Sequence, residues 1–223
     1  MKSGAVYTVP RLKHSIRLDA LWEKDPWNRI KALKLTHSMG GKPDHFPDVS
    51  ARLAYDEDGL YVIFRVVDRF VCARKTRYQD RVCEDSCVEF FFTPGESRSN
   101  GYFNLEVNCG GTAYFHHQKG RGIADVPVSS EDFHLVQIAH TAPVNIELEI
   151  TKSTIWVVEY CLPFNILGNY AHLTRPAPGV IWYANFYKCA DKSSHPHWLT
   201  WSKVDLPRPD FHQPKFFGRL LFQ

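Results

Sequence analysis

Long apolar runs are missing from this 223-residue chain, and with them any segment of the ~18 to 20 residues that a membrane-crossing helix needs. The opening residues, MKSGAVYTVPRLKHSIRL, also lack the continuous apolar stretch of a secretory signal. The chain as it stands reads as soluble: cytoplasmic, or extracellular or periplasmic if a leader was removed. Blocks of like charge are absent too. With 27 basic against 24 acidic residues, a net charge of +3 and no run of five or six of one sign, nucleic acid is an unfavoured partner. The six cysteines, Cys72, Cys83, Cys87, Cys109, Cys161 and Cys189, lack zinc-site spacing, because Cys83 and Cys87 have no second Cys or His pair in register. They read mostly as buried free thiols, although the even count leaves disulfides open. A sustained helical period is likewise lacking, apart from LPFNILGNY (Leu162 to Tyr170), where Pro163 could open one or two turns that Gly168 closes.

What the chain has is a large apolar and aromatic share, 44% and 14% of residues, enough for one sizeable core and a single domain over residues 1–223. It also has many short strands. RLAYDEDGLYVIFRVVD (Arg52 to Asp68) reads as strand, Asp-Gly turn, strand, since glycine supplies the positive backbone angle of a tight hairpin. In VNIELEI, Val144, Ile146, Leu148 and Ile150 alternate with Asn145, Glu147 and Glu149, the pattern of a half-buried strand. IWVVEYCLPF, VIWYANFYKCA and FGRLLF add more, separated by Pro, Gly, Asn and Ser clusters. The expected fold is all-β: a two-sheet antiparallel β-sandwich, jelly-roll-like, with at most one or two short helices. Residues 34–49 and 202–214, rich in Pro, Gly, Asp and His, should be loops across the sandwich ends.

The segments EDSCVEFFF (Glu84 to Phe92) and YFNLEVNCGG (Tyr102 to Gly111) carry the most chemistry. Side chains alternate along a strand, so Asn104, Glu106 and Asn108 share one face and Phe103, Leu105, Val107 and Cys109 the other. If the hairpin folds symmetrically about Ser97 and Arg98, Glu89 lands near Glu106, within a register slip of a residue or two. The result is a polar patch on a sheet face.

The order of whole tracts resembles the carbohydrate-binding family 9-like modules, β-sandwiches related to the DOMON superfamily. The tracts are IRLDALWEKDPW, RLAYDEDGLYVIFRVVD, EDSCVEFFF, YFNLEVNCGG, IWVVEYCLPF, PGVIWYANFYKCA, HWLTWS and FHQPKFFGRLLF, from about Ile16 to Phe222. The resemblance implies a sugar gripped between aromatic side chains and hydrogen-bonded by a carboxylate and amides, with a mono- or oligosaccharide as partner. It gives Glu89 the carboxylate role within the Asp85, Ser86, Val88, Glu89 tract, Asn108 the amide role, and Trp201 the role of stacking aromatic. Two positions depart from the pattern. Val82 and Cys83 stand where the second aromatic wall belongs, with Tyr78 the closest substitute, and Glu106 replaces a basic residue.

The residues themselves leave alternatives. Trp198 and Trp201, three apart, would point to opposite faces of a strand, one to the core. Glu89 sits among Val88, Phe90, Phe91 and Phe92, a setting that raises a carboxyl pKa; paired with Glu106 it could share a proton, hold a cation, or act in glycosidic cleavage. A protein-interaction domain that has lost the sugar site is a third reading. The pairs His116/His117 and His195/His197 are weak metal candidates. No cofactor is required, and calcium is the metal that the oxygen-rich DEDG turn and loops would accept, at a position the sequence does not fix. Haem, found among DOMON relatives, is disfavoured because the only methionines are Met1 and Met39, and Met39 lies too near His37 to ligate from the opposite side.

Overall fold

In chain order the strands are β1 (Val6–Val9), β2 (Leu33–Lys34), β3 (His37–Ser38), β4 (Asp48–Tyr55), β5 (Gly59–Asp68), β6 (Val71–Ala73), β7 (Cys87–Thr93), β8 (Tyr102–Asn108), β9 (Ala113–Gln118), β10 (Val126–Pro127), β11 (Gln137–His140), β12 (Ile146–Ile150), β13 (Thr154–Pro163), β14 (Ile181–Cys189), β15 (Trp198–Thr200) and β16 (Gly218–Phe222). Two short helices, α1 (Ser130–Phe133) and α2 (Phe164–Tyr170), join them. The computed structural model describes residues 4–223; no helix among them is long and apolar enough to cross a membrane.

A nine-stranded sheet runs β1-β16-β14-β7-β8-β9-β10, with β15 on β14 and β3 on β15, and a five-stranded sheet runs β11-β13-β5-β4-β2. Pairings are antiparallel except β1 with β16. Period-two alternation decides what lies between the sheets. Val88, Phe90 and Phe92 of β7 and Phe103, Leu105 and Val107 of β8 meet Leu53, Val62, Phe64 and Val158 of the other sheet in one apolar cluster. Each such buried side chain contributes about 1.5–3 kcal/mol of apolar transfer. The Asp-Gly hairpin forms as its sequence dictates: Tyr55 pairs with Leu60, and Asp56 Oδ1 accepts the Asp58 and Gly59 amides at 2.9 Å.

Both sheets are also covered on their outer faces. Residues from Leu12 to Ile30 pack on Ala54, Tyr61, Ile63 and Val157 of the smaller sheet. A fully buried Glu159 anchors them, accepting from the Asp19 and Ala20 amides, Trp27 Nε1 at 2.7 Å and Lys24 Nζ. The closing segment places Val204, Phe211 and Phe217 against Phe91, Tyr102 and Tyr187 on the outer face of the larger sheet. That differs from a loop lying across a sandwich end. Phe91, Tyr102 and Tyr187 are apolar residues at outward positions and need a cover.

Two local expectations are corrected. Leu148 is 86% exposed, because β12 pairs only with the three-residue β6 and shifts register between Ile146 and Ile150, which breaks the alternation. Gly168 lies inside α2 rather than closing it; the helix runs to Tyr170 and Ala171 is its extended C-cap. The 34–49 segment is mostly loop but contributes the two-residue β3 to the larger sheet.

A charged pair is sealed between the sheets. Lys188 of β14 is 0% exposed, and its Nζ donates to Cys189 O at 2.9 Å and to His197 Nε2 at 2.8 Å. It also lies 3.2 Å from Asp68 Oδ2, a charge pairing off the hydrogen-bond direction, while Asp68 Oδ1 meets His45 Nε2 at 2.7 Å. Burial alone would raise the Asp68 pKa, but the Lys188 charge and the His45 bond outweigh it and hold it at about 2. A depressed carboxyl contributes stability above its unfolded value, near 4, and loses it as pH falls towards 2. Lys188→Ala should therefore lower urea stability by about 3–5 kcal/mol at neutral pH, the cost of stranding a buried carboxylate. The deficit should shrink on acidification through that window; an equal deficit at neutral and low pH would show that the pair is not its source.

Candidate functional site

The hairpin β7–β8 sets the floor. Its register places Glu89 opposite Glu106, with Cys87 opposite Asn108 and Phe91 opposite Asn104. Glu89 and Glu106 point outward between strands buried on both sides, so the two residues are only 2% and 7% exposed. Above them lies a cavity of about 110 Å³, walled by Cys83, Cys189, Asp191 and Trp198 and roofed by Arg121 and residues 209–212 of the closing segment. A neighbouring depression of about 300 Å³ shares Cys83, Glu106, Arg121 and His212 and extends past Tyr114 and Gln118. Together they form one cleft over the outer face of β14, β7, β8 and β9.

Side chains in the cleft are held in place by hydrogen bonds. Gly122 N donates to Gln118 Oε1 at 3.0 Å, Gln118 Nε2 to Asn104 Oδ1 at 2.8 Å, and Asn104 Nδ2 to Glu106 Oε1 at 3.0 Å. Glu89 Oε1 accepts from Cys189 Sγ at 3.0 Å. Trp198 Nε1 donates to Asp191 Oδ1 at 2.8 Å, fixing the indole as a wall. At the rim Arg121 pairs with Asp210 at 2.8 Å, and Tyr102 Oη meets His212 Nδ1 at 2.9 Å. One oxygen of Glu89 and one of Glu106 are thus committed, and the second oxygen of each faces no protein donor among the described residues.

The electrostatics follow from burial. Desolvation pushes the Glu89 pKa well up, the Glu106 charge adds to it, and the Cys189 bond opposes it. Burial pushes Glu106 up to about 7 against the Asn104 bond, with Asp191 adding. Asp191 is also raised by burial, partly offset by Trp198. Burial lowers His212 to about 4, with Arg121 adding to the effect. The floor is a cluster of buried carboxyls whose pKa values are all raised by desolvation.

The sequence-predicted residues divide. Glu89 and Glu106 line the cleft. Asn108 lies on the same sheet face, but its amide is spent on Lys75 O and Asp85 Oδ2, both at 2.9 Å, and its oxygen on Thr112 N. Trp201 does not line the cleft; it packs in the main core, edge-on to Phe186 at 5.6 Å. Gly218 makes the room, since a Cβ there would come within 2.6 Å of the indole. Trp198, three residues earlier and on the opposite face, supplies the wall instead. Tyr78 is stacked on Phe133 at 3.9 Å and donates to Val128 O, away from the cleft. His117 packs against Phe103 in the core while His116 points outward to Asp125. The DEDG turn does not fit calcium: Asp56 is occupied by the turn amides and by Tyr61 Oη, and Glu57 pairs with Arg11. Sequence reasoning missed Arg121, Asp191 and residues 209–212; the turn KGRG and the aromatic tail PDFHQ were the available signals.

The family model for carbohydrate-binding family 9 matches residues 22–222. The chain belongs to carbohydrate-binding family 9. Among solved structures, the family-9 chain is similar to a candidate carbohydrate-binding protein from Bacteroides uniformis ATCC 8492, at 29% identity, TM-score 0.86 and coverage of 99% of this chain and 100% of that one. It also shares the fold of a family 9 module from Caldicellulosiruptor kristjanssonii, solved with cellotriose and with glucose. Identity there is 13%, the TM-score 0.65, and coverage 98% of this chain with 94% and 96% of the two others. A comparison with the curated proteins finds no match.

A raised carboxyl stabilises the fold below its unfolded pKa and loses that contribution as pH rises through the folded one. For Glu106 the window runs from the ordinary value of 4.5 to about 7. Glu106→Gln, which cannot ionise, should therefore gain roughly 1–3 kcal/mol over the parent protein above that window and little below it, measured by denaturant unfolding across pH. A variant no more stable than the parent at alkaline pH would show that Glu106 ionises without cost.

Proposed function

We propose that this family 9 chain binds a sugar, without cleaving it, in the cleft above Glu89 and Glu106. Trp198 is the stacking wall, and Glu89, Glu106 and Asp191 are the hydroxyl partners. The observation that carries this reading is the pairing of two deeply buried carboxyls, each with an uncommitted oxygen, with an indole already fixed beside them. Sugar recognition needs that combination: a flat apolar face for the C–H bonds and fixed polar groups for the hydroxyls. Arg121 and His212 at the rim supply further donors, so Glu106 at the family's basic position leaves the cleft with donors on its opposite wall. The cleft's two compartments suit one ring or the end of a short chain, and glucose and cellotriose, bound by the Caldicellulosiruptor relatives, are the first ligands to try. No cofactor is needed for such binding.

Cleavage is the less supported alternative. Glu89 and Glu106 rise from adjacent strands on the same side of the cleft, whereas an acid and a nucleophile or base must flank a glycosidic bond from different sides.

Calorimetric titration with mono- and oligosaccharides should show binding that Trp198→Ala weakens by about 1–3 kcal/mol. Trp201→Phe should lower stability and leave affinity intact. Loss of affinity in Trp201→Phe but not in Trp198→Ala would reverse the assignment, and no binding across a broad glycan panel would sink the reading. Oligosaccharide hydrolysis abolished by Glu89→Gln would establish an enzyme instead.

A further inference from the structure

The deepest part of the floor contains sulfur as well as oxygen. Cys87 of β7 and Cys189 of β14 are Cα partners across two adjacent strands in the middle of the large sheet. Both point to the same outer face as Glu89, two residues from Cys87. Their Sγ atoms and a Glu89 carboxylate oxygen lie within 4.8 Å of one another. All six cysteines are free thiols.

We propose that Cys87 Sγ, Cys189 Sγ and the Glu89 carboxylate bind one zinc-type cation at the floor of the cleft. A tetrahedral zinc site holds sulfur at about 2.3 Å and carboxylate oxygen at about 2.0–2.2 Å, so its ligand atoms stand about 3.3–3.8 Å apart. Cys189 Sγ and Glu89 Oε1 are already 3.0 Å apart, and the third donor closes the triangle with a side-chain adjustment of an ångström or less. Two thiolates select a soft or borderline ion over calcium or magnesium. Cys189 and Glu89 also border the cavity, so the fourth coordination position opens onto it, where water or a ligand hydroxyl can enter. On binding, the two S–H protons and any proton on the Glu89 carboxyl pass to solvent, and the ion takes a lone pair from each sulfur and from the carboxylate oxygen with no change of oxidation state. The three ligands carry three negative charges against the ion's two. The Lys188 charge acts on both Cys87 and Glu89 but is shared with Asp68 on the inner face, so the occupied site keeps part of its negative charge. Metal binding here does not depend on the carbohydrate reading.

The test uses the full chain, reduced with a phosphine and freed of metal. Cobalt(II) should give one equivalent of binding with a near-ultraviolet sulfur-to-cobalt charge-transfer band, and zinc should displace it while calcium does not. The band should be lost in Cys87→Ser and in Cys189→Ser and kept in Cys161→Ser, a thiol of the other sheet. Native mass spectrometry of the unsubstituted protein should show one zinc per chain, a measurement that stands even if a serine variant folds poorly. Absence of the band and of bound zinc in the unsubstituted protein would overturn the proposal, as would a band that survives in both Cys87→Ser and Cys189→Ser.

Discussion

Covering the outer face of the nine-stranded sheet is the constraint on which the rest of the molecule depends. Its central strands are buried on both sides: every residue of β7 and β8 is buried. One face is sealed by the five-stranded sheet. The other carries Phe91, Tyr102 and Tyr187 among polar residues, and it must be closed by the returning chain from 202 to 217. That segment brings Val204, Phe211 and Phe217 down as apolar plugs and carries Asp210 and His212 with them. The cleft is the part of this face that the cover leaves open.

Polar groups caught beneath such a cover need partners or a function. Most have partners. Asp85 accepts the Arg74 and Lys75 amides and the Asn108 amide, Asn185 exchanges hydrogen bonds with the Ser202 backbone, and Glu159 fastens the opposite cover. Glu89 and Glu106 are different, because each spends one oxygen and keeps the other towards the cavity. Their raised pKa values follow first from burial, with neighbouring carboxyls adding to it. The same arrangement that costs stability leaves hydrogen-bonding capacity for a ligand.

Several features could be read directly from residue patterns. The Asp-Gly hairpin, the inward and outward faces of β7 and β8, and the pairing of Glu89 with Glu106 all follow from local geometry: strand alternation, turn chemistry and a symmetric loop. The divergence of His116 from His117 and of Trp198 from Trp201 was equally legible. Which tryptophan faced inward was not, because alternation fixes only that the two oppose. Gly218, seventeen positions further on in the neighbouring β16, leaves the space that admits Trp201 to the core. Leu148 failed for a related reason: alternation presumes a regular partner strand, and β6 is too short to supply one.

The cysteines show the division most clearly. Cys83 and Cys87 have no partners at metal-site spacing along the chain, and sequence separation gave no reason to join Cys87 to Cys189. The order of strands in the large sheet sets them opposite each other and adds Glu89 beside them. The sequence by itself determined which residues share a face, where hairpins turn and which family the chain resembles, since these depend on neighbours within a few positions. Only the tertiary structure decided which aromatic walls the cleft, which carboxyl oxygens stay free and which thiols meet, because those depend on contacts between different strands and segments, from Trp201 against Gly218 to Cys189 against Glu89, 100 positions apart.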